Sequence, residues 1–118
     1  MSSPTQRTLA TVRKSGWQAC VVEKWVPQAR RRVDAFGFGD LLAVHPTLRQ
    51  IKLIQACARC DVSKRLTKIR TERREAASAW LDAGGVIEIW GWPGPRIVRV
   101  VLKLTLDEVL NDLPFDAR

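Results

Sequence analysis

Residues 33–60 read VDAFGFGDLLAVHPTLRQIKLIQACARC, and this stretch decides the fold of the 118-residue chain. Two apolar runs, at 36–44 and 51–57, are separated by HPTLRQ, a segment typical of a turn. They predict two neighbouring β-strands, at 39–44 and 51–57, joined as a hairpin. Asp40 lies at the start of the first strand and Gln55 near the end of the second. Because paired strands place facing residues close together, we expect these two polar side chains to meet at one edge of a sheet.

The residues before this hairpin predict a helix, a strand and a loop. Ser3 followed by Pro4 and Gln6 is typical of a helix start, because these residues satisfy the free backbone N–H groups of the first turn. The segment WQACVVEK at 17–24 is rich in β-formers and predicts the first strand. Residues 25–35 contain a proline and three arginines, so we expect a basic loop there.

After the hairpin, apolar residues recur at helical spacing and predict one long helix that ends before Gly84. Those residues are Val62, Leu66, Ile69, Ala76 and Trp80. Strands are predicted at 86–90 and 96–104, and Thr105 is a plausible cap for a final short helix. The order α-β-β-β-α-β-β-α predicts an α/β fold in which a mixed central sheet is flanked by helices.

Length and composition predict one domain spanning residues 1–118. A hydrophobic content of 46% is enough for one sizeable core. The chain has no apolar run long enough to cross a membrane, and its N-terminal residues lack the apolar stretch of a secretion signal. We therefore expect a soluble, cytoplasmic protein with no membrane partner, whose three cysteines remain thiols.

The formal net charge of +8 favours a polyanionic partner, of which nucleic acid is the obvious example. A basic surface that only keeps the protein soluble is the alternative. The positive charge is concentrated at 30–32 and along 59–74. The candidate DNA-binding residues are Arg30, Arg31, Arg32, Lys64, Arg65 and Lys68.

Asp40 and Gln55 together predict a site for a divalent cation. Mg²⁺ prefers oxygen ligands, and one or two protein carboxylates with waters and a substrate phosphate complete its shell. In the alternative interpretation, Asp40 caps a turn and Gln55 is a hydrogen-bonded polar group in a strand.

The element order and these polar positions resemble the PD-(D/E)XK nuclease superfamily, which includes restriction enzymes and archaeal Holliday junction resolvases. More narrowly, VVEKW, RRVDAFGFGDLLAV, LIQAC and WLDAGGVIEIWGW look like a family of small phage-borne and bacterial resolvase-like nucleases. The resemblance extends from about residue 6 to residue 104, and its most specific parts are DAFGFGDL and AGGVIEIWGW. It implies a restriction-endonuclease-like α-β-β-β-α-β core.

The resemblance also implies roles for individual residues. Asp40 corresponds to the metal-binding aspartate, Gln55 to the acidic residue of the third-strand triplet, and Cys57 to the superfamily's lysine. Gln55 and Cys57 both depart from that pattern, since one is neutral and the other supplies no positive charge. Glu23 or Asp34 is expected to restore the missing negative charge.

Two further groups complete the expected site. The backbone carbonyl of Ala56 is expected to face the metal. Lys64 or Lys68, one helical turn apart, is expected to bring an ammonium group in place of the missing lysine. The structural alternatives are that Glu23 pairs with an arginine of the 30–32 cluster, Asp34 caps a turn, and the two lysines lie on a solvated face.

The function implied by the resemblance is Mg²⁺- or Mn²⁺-dependent hydrolysis of a phosphodiester in branched DNA, such as a Holliday junction. It also implies a possible homodimer, and a location in the host cytoplasm if a phage encodes the chain. One alternative is a non-catalytic DNA-binding protein with a degenerate nuclease fold. A structural phage component that uses the fold only as a scaffold is the other.

Two other features allow different interpretations. Cys57 and Cys60 form a CxxC pair, but the chain offers only Cys20 and His45 as further soft ligands, so zinc or redox chemistry is the weaker hypothesis. Trp25 lies beside the arginines and is the best candidate among the tryptophans for contacting a base.

Overall fold

The computed structural model describes residues 3–93 and 99–110. Within these residues the helices are α1 (Pro4–Lys14), α2 (Val62–Arg70), α3 (Arg74–Asp82) and α4 (Leu106–Leu110). The strands are β1 (Gln18–Val21), β2 (Lys24–Val26), β3 (Arg31–Val33), β4 (Leu41–His45), β5 (Gln50–Ala58), β6 (Val86–Trp92) and β7 (Val100–Leu104). A 3₁₀ turn, Arg59–Asp61, leads from β5 into α2.

The main sheet has the strand order β1-β4-β5-β6-β7. Strand β4 is antiparallel to both β1 and β5, whereas β5 and β6 are parallel because α2 and α3 connect them across one face of the sheet. In the β4–β5 hairpin, Leu41 faces Ile54 at one end and His45 faces Gln50 at the other. The predicted α/β fold with a mixed sheet flanked by helices is confirmed.

Each face of the sheet packs against helices. On one face, Leu9 and Val12 of α1 form a core with Leu41, Ile54 and Trp90. The other face packs against α2, α3 and α4 in a second core. The buried members of that core are Phe38, Leu53, Cys57, Leu66, Ile69, Ala77, Ile87, Ile89, Leu104 and Val109. Since side chains alternate along a strand, Gln55 lies on the same face as its neighbours in this second core.

The helix starts predicted from the sequence are present. The Ser3 hydroxyl accepts a hydrogen bond from the Gln6 backbone N–H (3.2 Å), so Ser3 caps α1 as expected. Thr105 likewise accepts a hydrogen bond from the Glu108 backbone N–H (3.3 Å) at the start of α4. The predicted strand at 96–104 is described only from residue 99 onward, where β7 begins at Val100.

Lys52 is a buried cation on the α1 face of the sheet, with only 5% of its surface exposed. Its Nζ lies 3.0 Å from Glu88 Oε1 and 3.9 Å from the centre of the Trp17 ring. A buried charge is tolerated when it is paired, and this ion pair sits against an aromatic face that also attracts cations. The Lys52 charge therefore lies on the α1 side of the sheet, on the face opposite Gln55.

The prediction of a basic loop at 25–35 is wrong. Strands β2 and β3 form a separate two-stranded antiparallel sheet in which Trp25 faces Arg32. The turn between them has Arg30 in the left-handed region, at φ 49°. Val26 and Val33 are β-formers on either side of a proline-initiated turn, and this pattern outweighs the run of arginines. We call this β2–β3 hairpin the basic arm (residues 24–33).

The single long helix predicted before Gly84 is also wrong, because α2 ends at Arg70 and α3 begins at Arg74. The backbone N–H of Arg73 bonds to the carbonyl of Lys68, five residues earlier, so the helical repeat is broken there. Thr67 and Thr71 donate their hydroxyls to backbone carbonyls four residues before them, an arrangement that bends or weakens helices. The apolar spacing survives because both helices pack into the same core.

None of the helices described in residues 3–93 and 99–110 has the length and apolar character needed to cross a membrane.

Candidate metal centre and nucleic-acid surface

Asp40 lies immediately before β4 and is held in place by its backbone. Its N–H donates to the Ile54 carbonyl (2.9 Å), and its carbonyl accepts from the Val22 N–H (2.9 Å). These bonds extend the sheet one residue beyond Leu41 and fix the Asp40 side chain against β5. The end of the hairpin where Leu41 faces Ile54 is therefore the end that carries the site.

The predicted meeting of Asp40 and Gln55 is present. Asp40 Oδ2 accepts hydrogen bonds from Gln55 Nε2 (2.8 Å) and from the Ala56 backbone N–H (2.9 Å). Both side chains are buried, with exposed fractions of 4% for Asp40 and 3% for Gln55. The N–H and carbonyl of a strand residue point to the same side, so the Ala56 carbonyl also faces the Asp40 side of β5.

Glu23 and Asp34 join Asp40 in one cluster. One carboxylate oxygen from each of the three residues lies within 4.8 Å of the others. We call these three residues the acidic cluster. Glu23 lies two residues past the end of β1, rather than at its end as predicted, and Asp34 follows β3 directly. Glu23 and Asp34 directly flank the basic arm in the chain, because the first residue pair of the arm is Lys24 facing Val33.

The backbone around the acidic cluster explains this convergence. Val22, just before Glu23, donates to the Asp40 carbonyl, while Ala35, just after Asp34, exchanges backbone hydrogen bonds with Gly39 (2.9 and 2.8 Å). Between Ala35 and Gly39, Gly37 adopts φ +82°, in the left-handed region that favours glycine. The tight 35–39 turn therefore brings the chain back to Asp40 after the arm.

Burial and the neighbouring carboxylates of Asp34 and Glu23 change the pKa of Asp40. The pKa of Asp40 is raised to about 8, first by burial and then by the neighbouring Asp34 and Glu23 carboxylates, with the hydrogen bond from the Ala56 N–H acting in the opposite direction. At neutral pH Asp40 is therefore largely protonated while no cation occupies the cluster. A divalent cation among these oxygens would favour the ionised form.

Gln55 has a second polar atom with no partner. Its Oε1 is buried and, within the described residues, accepts no hydrogen bond. An unsatisfied buried acceptor costs about 1–3 kcal/mol. Nε2 of the same amide faces Asp40, so Oε1 becomes a neutral ligand for an ion at the acidic cluster once the amide turns its oxygen toward Asp40.

Arg32 contacts the acidic cluster from the arm. Its Nη1 lies 3.3 Å from Glu23 Oε1, so the predicted alternative of a Glu23–arginine pair is present together with the cluster. The Arg32 side chain is 63% exposed and the Glu23 side chain 19% exposed. An ion pair this accessible contributes little to stability, and its arginine remains available to another anion.

Cys57, at the position of the superfamily's lysine, packs in the core beside Leu66 and Ile69. Burial raises the pKa of its thiol to about 11, and the charge of Arg65 lowers it in part. The thiol therefore stays neutral and supplies no charge. Among the described residues, the acidic cluster is the one group of three or more His, Cys, Asp or Glu side chains placed to share an ion, so no zinc set forms around Cys57 and Cys60.

The basic residues of α2 lie along one groove. Lys64 is exposed, whereas Arg65 and Lys68 are half-buried. The groove has a volume of about 600 Å³ and is lined by Lys64, Arg65, Thr67, Lys68, Thr71 and Glu72. Within residues 3–93 and 99–110, no ion pair or hydrogen bond joins Lys64 or Lys68 to the acidic cluster. The charge of Arg65 lowers the pKa of the Cys57 thiol on β5.

The sequence did not reveal the arm that positions two of the three carboxylates. The signal was present as KWV and RRV on either side of a proline-containing turn. The consecutive arginines hid it, because a charge run is typical of a solvated loop.

No family model, no curated protein and no solved structure matches this chain.

The titration of Asp40 predicts an unusual pH dependence of stability. An aspartate in an unfolded chain titrates near its model value of 3.8, whereas Asp40 titrates near 8 in the fold, so between these values the folded state holds the extra proton. The free energy of unfolding should therefore decrease as pH rises, by up to about 4 kcal/mol between about pH 5 and pH 8.5. Urea unfolding in EDTA measures this change.

Asp40→Asn is the matched variant for this measurement, because it removes the titrating group and keeps its size. Its unfolding free energy should vary less with pH than that of the wild type, and it should exceed the wild-type value near pH 8.5. Equal pH profiles for the two proteins would contradict the assignment.

Proposed function

We propose that this chain is a divalent-metal-dependent DNA endonuclease that hydrolyses phosphodiester bonds in branched DNA, with Mg²⁺ or Mn²⁺ as its cofactor. The observation that carries the proposal is that carboxylate oxygens of Glu23, Asp34 and Asp40 lie within 4.8 Å of one another, beside the buried amide of Gln55. Three carboxylates this close repel one another unless a cation or protons lie between them. The donor set is all oxygen, which suits Mg²⁺ or Mn²⁺.

The residues that would hold the ion are Asp40, Asp34 and Glu23, with the Gln55 amide oxygen and the Ala56 carbonyl as neutral ligands. When bound, the ion would polarise the scissile phosphate and lower the pKa of a coordinated water. The superfamily has an acidic residue at the position of Gln55. In this chain Glu23 and Asp34, which flank the basic arm, would supply that negative charge instead.

The chain's own groups supply the proton acceptor for the hydrolysis. A water oxygen would attack phosphorus, one ester P–O bond would break, and the water proton would pass to a carboxylate. Glu23 and Asp34 are half-buried, so either of them can hold the ion through one carboxylate oxygen and accept this proton on the other. The leaving oxygen takes its proton from solvent.

Positive charge on the basic arm, next to the acidic cluster, and along α2 supports a nucleic-acid substrate. Arg30, Arg31 and Arg32 lie on the exposed arm, and the basic groove runs along α2. Lys64, Arg65 and Lys68 of the groove are the candidates to supply the positive charge that Cys57 lacks. Contacts of this kind hold the phosphate backbone without reading sequence, so substrate choice would depend on DNA shape.

The strand order supports the proposed kinship with the PD-(D/E)XK superfamily. The antiparallel strands β1, β4 and β5 precede a helical crossover to the parallel strand β6, as the expected α-β-β-β-α-β core requires. The same kinship is the basis for proposing a homodimer and a cytoplasmic location, in the host cell if the gene belongs to a phage.

Cleavage of a labelled four-way junction, compared with a linear duplex of the same sequence, tests the proposed function. We expect cuts near the branch point that require Mg²⁺ or Mn²⁺ and cease in EDTA. Calorimetric titration of each metal into the protein should show binding. If neither metal binds and no DNA is cut at high protein concentration, a non-catalytic DNA-binding protein replaces the nuclease. Salt-insensitive, weak DNA binding would instead favour a structural component.

A further inference from the structure

Trp25 differs from the other tryptophans in the contacts that its ring makes. Three of them donate their indole N–H to acceptors inside the fold, and Trp17 packs against His45 and the buried Lys52. The three hydrogen bonds are those from Trp80 to the Val86 carbonyl, from Trp90 to Glu88 and from Trp92 to Thr8. Trp25 is 51% exposed, and within the described residues it makes no ring contact, cation contact or indole hydrogen bond.

The basic arm brings Glu23 and Asp34 to the acidic cluster, and that role does not use the Trp25 ring. Strands β2 and β3 pair with each other and add no strand to the main sheet. A two-stranded hairpin in water is marginally stable, and a large exposed ring adds nothing to its core. The arm contains Lys24, Arg30, Arg31 and Arg32 and no acidic residue. Its composition fits a polyanionic partner that also offers flat apolar surfaces.

The position of Trp25 relates it to the acidic cluster. Trp25 faces Arg32 across the arm, and Arg32 in turn contacts Glu23. Trp25 is two residues from Glu23, which is roughly 7 Å along an extended chain. One nucleotide of an extended strand spans such a distance. A phosphate at the acidic cluster would therefore place a neighbouring base within reach of the Trp25 ring.

We infer that the basic arm is a binding site for an unpaired nucleotide, in which Trp25 stacks on the base and Arg32 contacts a backbone phosphate. The inference rests on the proposed function for the position of this nucleotide next to the scissile phosphate. Bases inside a duplex are stacked on each other and offer no free face, whereas unpaired bases do. The arm thus selects DNA with an unpaired nucleotide beside the cleavage point, as at a fork, a flap or an open junction.

Binding measured in EDTA, where no cleavage occurs, tests this inference on the full-length chain. The probe is a fluorescein-labelled single-stranded oligonucleotide with one 2-aminopurine, and the same sequence as a duplex is the reference. Trp25→Ala should weaken single-strand binding by about tenfold, since stacking on an aromatic side chain contributes at this level, and should leave duplex binding nearly unchanged. Trp25→Phe should retain most of the affinity.

Phe36→Ala is the matched control, because Phe36 is also an exposed aromatic residue (59% exposed), follows Asp34 by two residues in the chain, and lies outside the arm, where its ring packs against Trp80. It should bind both probes as the wild type does. Wild-type protein should quench 2-aminopurine fluorescence, and Trp25→Ala should not. The inference is overturned if Trp25→Ala binds single strands normally, or loses single-strand and duplex binding equally. Because no metal is present, these outcomes are independent of whether the chain cleaves DNA.

Discussion

Asp40→Asn should lower metal-dependent cleavage of junction DNA by on the order of 10³-fold or more. The substitution removes the one carboxylate that lies between the other two acids and β5, and the electrostatic contribution of a bound metal ion to phosphodiester hydrolysis amounts to several kcal/mol. Asparagine can still accept the hydrogen bonds from Gln55 and Ala56 that Asp40 Oδ2 accepts now. The fold should therefore remain intact while catalysis is lost. Single-turnover cleavage of a labelled junction measures the effect.

The same variant should lose the rise in melting temperature that Mg²⁺ or Mn²⁺ gives to the wild type, because a ligand stabilises only the fold that binds it. Asp82→Asn, at the exposed end of α3, is the control and should behave as the wild type. An Asp40→Asn protein that retains wild-type cleavage and wild-type stabilisation by metal would show that the acidic cluster is not the metal centre.

Gln55→Glu should make the protein less stable without metal and more responsive to it. Gln55 Nε2 donates to Asp40 Oδ2 at 2.8 Å, so a glutamate replaces a donor by an acceptor at a buried position. Without metal, the folded protein must either bind another proton or keep two carboxylates together, and we expect a loss of about 1–3 kcal/mol that increases with pH. With metal, the added carboxylate becomes a fourth anionic ligand, and the affinity should rise by roughly tenfold.

Urea unfolding and calorimetric titration, each with Mn²⁺ and with EDTA, measure the two effects of Gln55→Glu. Gln50→Glu makes the same chemical change at the exposed start of the same strand and should alter neither quantity. A Gln55→Glu protein that is destabilised equally with and without metal would mean that this side chain has only a structural role.

Much of the site was predictable because it depends on local patterns. The hairpin of β4 and β5 follows from two apolar runs around a turn, and its register places Asp40 against Gln55 and Ala56. The cap of α1 at Ser3 also follows from short-range hydrogen bonding that a few residues specify.

The rest depends on contacts between distant residues. Lys52 lies in an apolar strand, and only the structure shows that Glu88 and Trp17 surround its charge. The break between α2 and α3 leaves the apolar spacing unchanged, so periodicity alone predicted one helix. Glu23 and Asp34 both reach Asp40 because β2 and β3 pair as a hairpin. The loop predicted for these residues would not have fixed the separation of the two carboxylates.

The central claim is that one divalent cation lies among Glu23, Asp34 and Asp40. A crystal soaked in MnCl₂ and measured for anomalous scattering tests it most directly. We predict a single strong peak bounded by these three carboxylates, with the Gln55 amide oxygen and the Ala56 carbonyl facing it and with Arg32 moved away from Glu23. A well-ordered acidic cluster without such a peak, or manganese bound only elsewhere on the surface, would contradict the claim.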